Sequence, residues 1–533
     1  LYGLSFLLRF STLVYIRFLH DLTLLKDCVK EVTKEFVDTV KKRNPEIAEN
    51  IQNYAKIFAA NPKVKAKLAK KIAEKTALLA LSPLDGRYSA VSDQLREYFS
   101  EYALIKYRVE VEILWLEHLL DEDVVKDPIL KERRRNFQDN YEYIMSIYED
   151  FDINDAQEVK KIEKVTNHDV KAVEYYIGKK LREKGLDDLV SLVHIGCTSE
   201  DINNLAYAMM IQEAKDEVLI PAINELISTI SKLSTKFMDV PMMARTHGQP
   251  ATPTTLGKEF KVYERRLKDQ SVLVENSLDK GKFNGATGNY SAISVAFPNV
   301  NWPYVMEGFV GWLDLSFNPI TTQIESHDDL CTFLQDLEHF NMIVLNLDID
   351  MWMYISIEYF KQKVVQGEVG SSTMPHKVNP IKFENSEGNV YMANGIMSGI
   401  IDKLLRSRWQ RDLSDSTVQR NIGVAFGYTL QVIKETINGL NRCEANFKAI
   451  SADLDNNWEV LAEPIQTMLR KYGISDAYEK LKELTRGKKI TEEDIHSFVN
   501  SLEVLSEEDK ATLLNLTPES YIGYADEIAA LDV

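Results

Sequence analysis

The sequence predicts an all-α fold built round long central helices, and three observations carry that expectation. Residues 202–220, 254–278, 328–360 and 424–450 are long stretches without proline, and most show the apolar spacing of a helix with one buried face. The segment 340–360 is apolar on nearly every side yet carries Asn346, Asp348, Asp350 and Glu358. A membrane span would reject two central aspartates, whereas a helix inside a bundle can seat them against polar partners. Finally, 533 residues, 45% of them hydrophobic and 27% charged, are ordinary globular composition, and such a length calls for roughly two to four domains.

From the N-terminus, Leu4 to Leu19 is apolar but holds Arg9 and Arg17, so it is too short and too charged to span a bilayer. No acidic residue precedes Asp21, while Ser, Thr and Arg are present, which is the composition of an organellar transit segment. The chain starts at Leu1 rather than Met, so we expect a fragment or an uncertain gene start. Lys26 to Lys75 reads as Lys-rich amphipathic helices forming a solvated appendage with no catalytic part.

The formal charge of −18 argues against partnership with nucleic acid or an anionic membrane, both of which need a basic face. An anionic substrate must then meet local cations, and Lys377, Lys382, Lys403, Arg406, Arg408, Arg411 and Arg420 fall in one stretch. Cys28, Cys197, Cys331 and Cys443 lie far apart, so neither a zinc site nor a disulfide framework is expected and a reducing compartment fits. Cys197 reads as a small buried filler. The nine histidines form no H-E-x-x-H pair, and there is no P-loop or dinucleotide fingerprint, so no metal and no cofactor is expected.

Chemistry is most concentrated in Gly370-Ser371-Ser372-Thr373-Met374-Pro375-His376-Lys377-Val378-Asn379-Pro380. Its prolines fix φ and remove backbone donors, so the segment is a loop. Gly367 and Gly370 supply the freedom a closing lid needs. Adjacent hydroxyls, an imidazole, an ammonium and a carboxamide in one loop point to function rather than packing. A second segment, Arg245-Thr246-His247-Gly248-Gln249-Pro250, sets an imidazole in a turn ahead of a helix start at Thr254. Imidazole titrates near neutrality and can therefore give up a proton and regain it each turnover. In a third, Gly196 to Asn204, Thr198 and Ser199 precede a helix beginning near Asp201, whose first amides suit an anion while Ser199 caps. Arg411, Ser416 and Arg420 recur at spacings of five and four, so on a helix-like turn they would offer two guanidinium forks and a hydroxyl to one dianion.

Together with Asp85-Gly86-Arg87-Tyr88 and Ser407-Arg408-Trp409-Gln410-Arg411-Asp412, these segments resemble, in content and order, the signatures of the fumarase/aspartase superfamily. Within it they resemble the bacterial-type adenylosuccinate lyase family, from about Leu79 to the C-terminus. The resemblance implies elimination of fumarate from adenylosuccinate and from the succinylated aminoimidazole carboxamide ribotide of purine biosynthesis. It assigns the general base to Ser371 as alkoxide, with Lys377 placed to lower its pKa, and the general acid to His247. Thr198, Ser199, Gln249, Gln323, Lys377 and Asn379 would hold the succinyl portion. Arg87 and Tyr88 would complete the phosphate end made by Arg411, Ser416 and Arg420, and Asn167, His168 and Asp169 would contact the nucleotide and orient the acid. The family's architecture implies an extension 1–78, a helical domain 79–185, a central bundle 186–440 and a C-terminal helical domain 441–533. It further implies a cytoplasmic homotetramer whose sites take His247 and Ser371 from different chains. The nearest alternative is argininosuccinate lyase, which shares the loop but needs no phosphate clamp. A non-enzymatic structural descendant would be expected to lose Ser371 or His247, and both are present.

Overall fold

The computed structural model describes residues 77–277, 280–363, 367, 373–374, 376–485 and 489–532. The transit segment and the Lys-rich helices expected before residue 77 lie outside the described residues, as do Ser371 and Ser372. Among those described, helix dominates, and the strands are two or three residues long and pair only in twos. The helices that position the site are α1 (Glu101–Leu120), α2 (Ile153–Thr166), α3 (Asp169–Glu183), α4 (Ser199–Ala214), α5 (Ile220–Lys236), α6 (Leu256–Glu275), α7 (Asp328–Ser356), α8 (Ile381–Leu404), α9 (Ser414–Gln419) and α10 (Ile422–Asn441). The all-α expectation therefore holds.

Helix ends differ from the sequence expectation for identifiable reasons. The stretch 202–220 does not stop at Ile220: α4 is followed by a π turn, Lys215–Leu219, and by α5. Pro221 falls in the first turn of α5, where a missing N–H costs no hydrogen bond. The helix expected from Thr254 starts at Leu256, because Thr255 adopts an extended backbone and caps it by accepting from the Lys258 N–H at 3.2 Å. The stretch 328–360 ends at Ser356, and Phe360–Gln362 pairs instead as an antiparallel strand with Cys443–Ala445. That same pairing divides 424–450 into α10 and a short helix, Phe447–Asp455.

The chain forms two compact units. Among the described residues, the first comprises those up to Ala214 with 280–330 and Asp402–Gly427; the second comprises Lys215–Ser277, those of 331–401 and those from Tyr428 onward. In the first, Trp115, Phe283 and Phe309 meet with centroids 4.7 to 5.3 Å apart, a spacing at which aromatic pairs attract beyond their buried area. The Trp115 indole also donates to the Ile195 carbonyl at 3.1 Å, tying this core to the loop that leads into α4. Gly423 lies so close to Phe99 that an added Cβ would sit 2.2 Å from the phenylalanine Cβ, which fixes the start of α10 against the helix Arg96–Phe99.

In the second unit the polar residues of α7 find the partners that their burial demands. Asn346 accepts from Arg266 at 2.9 Å, and the Tyr263 hydroxyl donates to Asp350. The fully buried Asp348 accepts from the Thr436 hydroxyl at 2.9 Å, which in turn meets Ser386. A further apolar cluster gathers Leu461, Ile465, Leu469, Ile495 and Val499. No described helix is long and apolar enough to cross a membrane.

Burial pushes the Asp348 carboxyl well above the usual carboxylate range, outweighing hydrogen bonds from Ser386 and Thr436 that favour its ionised form. The folded state thus holds this proton where the unfolded chain, with an Asp pKa of about 3.9, releases it. Stability from this group is full below that value and falls as pH rises above it, by at most about 1.4 kcal/mol per unit. Asp348→Asn, neutral at every pH, should therefore gain thermal midpoint relative to the parent chain between about pH 5 and pH 8. An identical difference in midpoint at both pH values would refute a protonated Asp348.

Candidate functional site

The first unit organises its polar groups round Asp201, one turn into α4. Its carboxylate accepts the Thr198 N–H at 2.8 Å, the return half of a capping box, which starts the helix at Ser199 rather than near Asp201. The same carboxylate accepts the N–H groups of Asn284 at 3.1 Å and Gly285 at 3.2 Å and lies 2.8 Å from the Lys282 ammonium. Lys282 and Asp201 are 0% and 1% exposed. The ammonium donates further to the carbonyls of Gly285 and Gln323 at 2.9 and 2.8 Å. One buried pair therefore fixes Thr198 and Ser199, the loop 282–288 and Gln323 relative to one another. Upstream, His194 holds a left-handed backbone, φ 62°, and its Nδ1 meets the buried Glu112 carboxylate at 2.6 Å. Burial opposes the charge on His194, but its hydrogen bond and ion pair with Glu112 prevail and raise its pKa.

Arg411 and Ser416 come together as expected, with Gln323 as a third member. The Arg411 guanidinium donates to Gln323 Oε1 and to Ser416 Oγ, each at 3.3 Å. It also lies 2.9 Å from Glu200 Oε2 and 3.8 Å from Asp415 Oδ2. Burial raises the Glu200 carboxyl to about 7, with Arg411 opposing the shift and Asp415 adding to it. Arg420 does not join them through any of these contacts. Arg411 precedes α9, Ser416 is inside it and Arg420 caps its end, so the three do not share a helix face. Arg420 instead donates to Glu101 at 2.6 Å and to Asp169 at 3.3 Å.

A buried arginine that the sequence reading passed over connects the two groups. Arg108, 2% exposed on α1, donates to Asp169 and to Asn203 Oδ1, both at 2.8 Å. Asn203 reaches the Glu200 carboxylate at 3.5 Å. The line from Arg420 through Asp169, Arg108, Asn203 and Glu200 to Arg411 is thus continuous. Burial raises the Asp169 pKa, but Arg108 and Arg420, with the Val170 N–H, bring it below the usual value. Arg108 had one weak sequence signal, a cation in the largely apolar run from Ala103 to Val109, which also holds Lys106. Glu200 and Asp201 stood inside a recognised motif, but nothing local marked Lys282 as their counterpart.

The other expected site residues of the first unit lie at helix ends. Asn167 ends α2 in a left-handed conformation, φ 52°, and His168 caps α3 by accepting the Lys171 N–H on Nδ1 at 3.1 Å. Arg87 is exposed and Tyr88 half-buried, just before the short helix Ser89–Ser92. Four expected residues belong to the second unit. His247 and Gly248, at φ 52° and 75°, form a two-residue hairpin turn between Arg245–Thr246 and Gln249–Pro250, leaving the imidazole and Gln249 exposed. Positive φ at both positions is what a right-twisted hairpin needs. Lys377 is exposed, its N–H donating to the Met374 carbonyl at 3.0 Å, and Asn379 is half-buried.

Residues 86–395 match the model of a lyase family, and 407–522 match that of the adenylosuccinate lyase C-terminal domain. The chain is 46% identical over 461 residues to adenylosuccinate lyase of Buchnera aphidicola, a match covering 85% of this chain and 99% of that one. It is 48% identical to the Haemophilus influenzae enzyme of the same name, over 85% and 98% of the two chains. Among solved structures, a fumarate lyase from Mesorhizobium aligns with a TM-score of 0.65 at 16% identity, over 82% of this chain and 96% of that one. The 3-carboxy-cis,cis-muconate lactonizing enzyme of Pseudomonas putida aligns at 0.63 and 20% identity, over 82% and 95%. These structural likenesses establish a shared fold.

Replacing Asp201 by Asn keeps its shape but leaves the Lys282 ammonium buried without a counter-charge. Breaking a buried pair from one side costs about 3–5 kcal/mol, so Asp201→Asn should lower the denaturation midpoint sharply. Asp201→Asn combined with Lys282→Met should recover part of that loss, because no lone charge remains. A loss below about 1 kcal/mol in the single variant, the range of exposed pairs, would show that the pair does not organise the site.

Proposed function

The chain belongs to the adenylosuccinate lyase family and is a carbon–nitrogen lyase; from that premise we propose how its residues divide the work of eliminating fumarate. The substrates are adenylosuccinate, which leaves AMP, and succinylaminoimidazole carboxamide ribotide, which leaves the free carboxamide ribotide. Ser371 is the general base and His247 the general acid. The observation that carries the substrate end of this reading is the Arg411 guanidinium joined to Gln323 and Ser416, 13% exposed in its side chain.

The chemistry follows from the bond to be broken. A proton on carbon beside a carboxylate is weakly acidic, so a base must take it while fixed donors stabilise the dianion that forms. Ser199, at the start of the sixteen-residue α4, offers the helix's amide end and dipole to one carboxylate, with Thr198 beside it, whose own N–H Asp201 holds. Lys377 and Asn379 serve the other and favour the Ser371 alkoxide. The departing amine needs a proton, which His247 supplies from an exposed hairpin turn. Arg411, Ser416 and Arg420 take the phosphate with Arg87 and Tyr88, while Asn167, His168 and Asp169 orient the nucleotide and Gln249 the succinyl group. Asp169 is already held by Arg108 and Arg420, which supports its placement at the phosphate end.

We further propose a cytoplasmic homotetramer in which His247 and Ser371 of one site come from different chains, with the domain limits 79–185, 186–440 and 441–533. The exposed apolar residues Trp352 and Met353 on α7 and Tyr391 and Met392 on α8 support association, since a monomer rarely leaves such surface in water.

Purified chain should release fumarate from adenylosuccinate and none from argininosuccinate; the reverse result would overturn the substrate assignment. Ser371→Ala should lower kcat by about 100-fold or more with substrate binding still measurable, and retention of about a tenth of kcat would remove Ser371 from the role of base. Arg411→Ala should raise KM by about 10- to 100-fold, the worth of a hydrogen bond to a charged group, because phosphate contacts persist from ground to transition state. A fall in kcat at constant KM would count against the phosphate role.

A further inference from the structure

Three buried side chains of the first unit converge without satisfying one another. Glu200, His327 and Asp415 are 1%, 4% and 2% exposed, and each offers one donor atom, two carboxylate oxygens and an imidazole nitrogen, within 4.8 Å of the others. Glu200 Oε1, His327 Nε2 and Asp415 Oδ2 are all buried and have no hydrogen-bond partner. Buried polar atoms are seldom left so. Three of them in one small group point to a missing ligand.

The surroundings define the charge and shape of that ligand. Glu325 accepts the His327 backbone N–H, lies 3.9 Å from its Nδ1 and is itself held by Asn318 at 2.8 Å. The His327 backbone is thereby held, and its ring leaves Nε2 unengaged. Arg411 lies 2.9 Å from Glu200 and 3.8 Å from Asp415, so two buried carboxylates share one guanidinium, while Glu325 lies against His327. Buried anionic charge in excess needs protons or a cation. Beside His327, a cavity of about 20 Å³ lined also by Asn204, Tyr207, Lys280, Glu325 and Gln419 has room for one water.

We propose that Glu200, His327 and Asp415 bind one divalent transition-metal ion of the Zn²⁺ or Mn²⁺ class. One imidazole nitrogen and two carboxylate oxygens are a donor set these ions accept. Bonds of about 2.0–2.2 Å put donors roughly 3–4 Å apart, so side-chain rotations suffice to close the present spacing. The ion would also draw Glu200 away from Arg411 and leave the guanidinium freer for an anion; that consequence, unlike binding itself, rests on the phosphate role proposed for Arg411.

The test is calorimetric titration of the chelator-stripped full chain with Zn²⁺, followed by visible spectroscopy with Co²⁺. One Zn²⁺ per chain is expected, with affinity falling by about 100-fold in His327→Gln and in Glu200→Gln, at least what loss of a supporting contact costs a metal site. Circular dichroism checks that the variants fold. If they do not, the Co²⁺ spectrum of the parent chain decides: d–d bands without a near-ultraviolet thiolate band support nitrogen and oxygen donors, whereas a thiolate band refutes the site. No stoichiometric binding, or binding unchanged in both folded variants, also overturns the proposal. Since none of these readouts is turnover, failure here leaves the lyase reading standing.

Discussion

The Asp201–Lys282 pair, sealed from water on both sides, is the constraint on which the site in the first unit depends. Desolvating two charges is expensive, and attraction alone offsets it poorly. Here each charge is also fully hydrogen-bonded: the carboxylate by three backbone N–H groups, the ammonium by two carbonyls. Those backbone partners come from three separate segments, so satisfying the pair positions all three. Gly288 permits their close approach. At φ 72° it has no Cβ to meet the Thr321 carbonyl oxygen, which would lie 2.2 Å away. Thr321 leads to Gln323, and Gln323 to Arg411. A buried charge pair thus sets the geometry of the groups proposed to hold substrate.

The same logic runs through the cations. A chain of net charge −18 does not concentrate positive field by composition, so each cation must be placed individually. Arg411 is held by Glu200, Arg420 by Glu101 and Asp169, and Arg108 by Asp169 and Asn203. Pairing lowers the free charge of each guanidinium but removes its rotamer freedom before any ligand arrives. An anion then competes with a carboxylate for a donor already in place. The outcome is selectivity for ligands with strong, fork-matching oxygens, and phosphate is such a ligand.

What the sequence made legible divides along the line between local and non-local information. Apolar spacing located the long helices because their periodicity is written within them. Their ends were less visible: Ser356 closes α7 because Phe360–Gln362 pairs with Cys443–Ala445, a partner some eighty positions away that no window contains. Among site residues, Arg411 and Ser416 meet as their spacing implied, while the contact of Gln323 with Arg411 was not anticipated. Arg420 pairs instead with Glu101 and Asp169: a spacing of four assumes a common helix, whereas Arg411 lies before α9 and Arg420 at its end. Glu200, His327 and Asp415 had no common signature, since each lies in a different segment and their meaning is only their convergence. Ser371 was assigned from the family resemblance of its loop and lies outside the described residues.

Backbone strain supplies the last link between fold and site. Left-handed conformations cost non-glycine residues about 1 kcal/mol or more and persist only where the surroundings enforce them. Here they recur at Asn167, His194, His247 and His327. Asn167 leads into α3 and Asp169, His194 into Thr198 and α4, and His327 into α7, while His247 forms the hairpin turn itself. At His247 the chain reverses direction within two residues, as a two-residue hairpin requires. The neighbours that enforce the left-handed backbone are visible at two of the four: Glu112 grips the His194 ring, and Glu325 takes the His327 N–H. A histidine suits such a position because its ring can accept a fixing contact that alanine or valine could not. Glu112 through the His194 ring and Glu325 through the His327 N–H therefore act on the backbone, and through it on where the next helix begins.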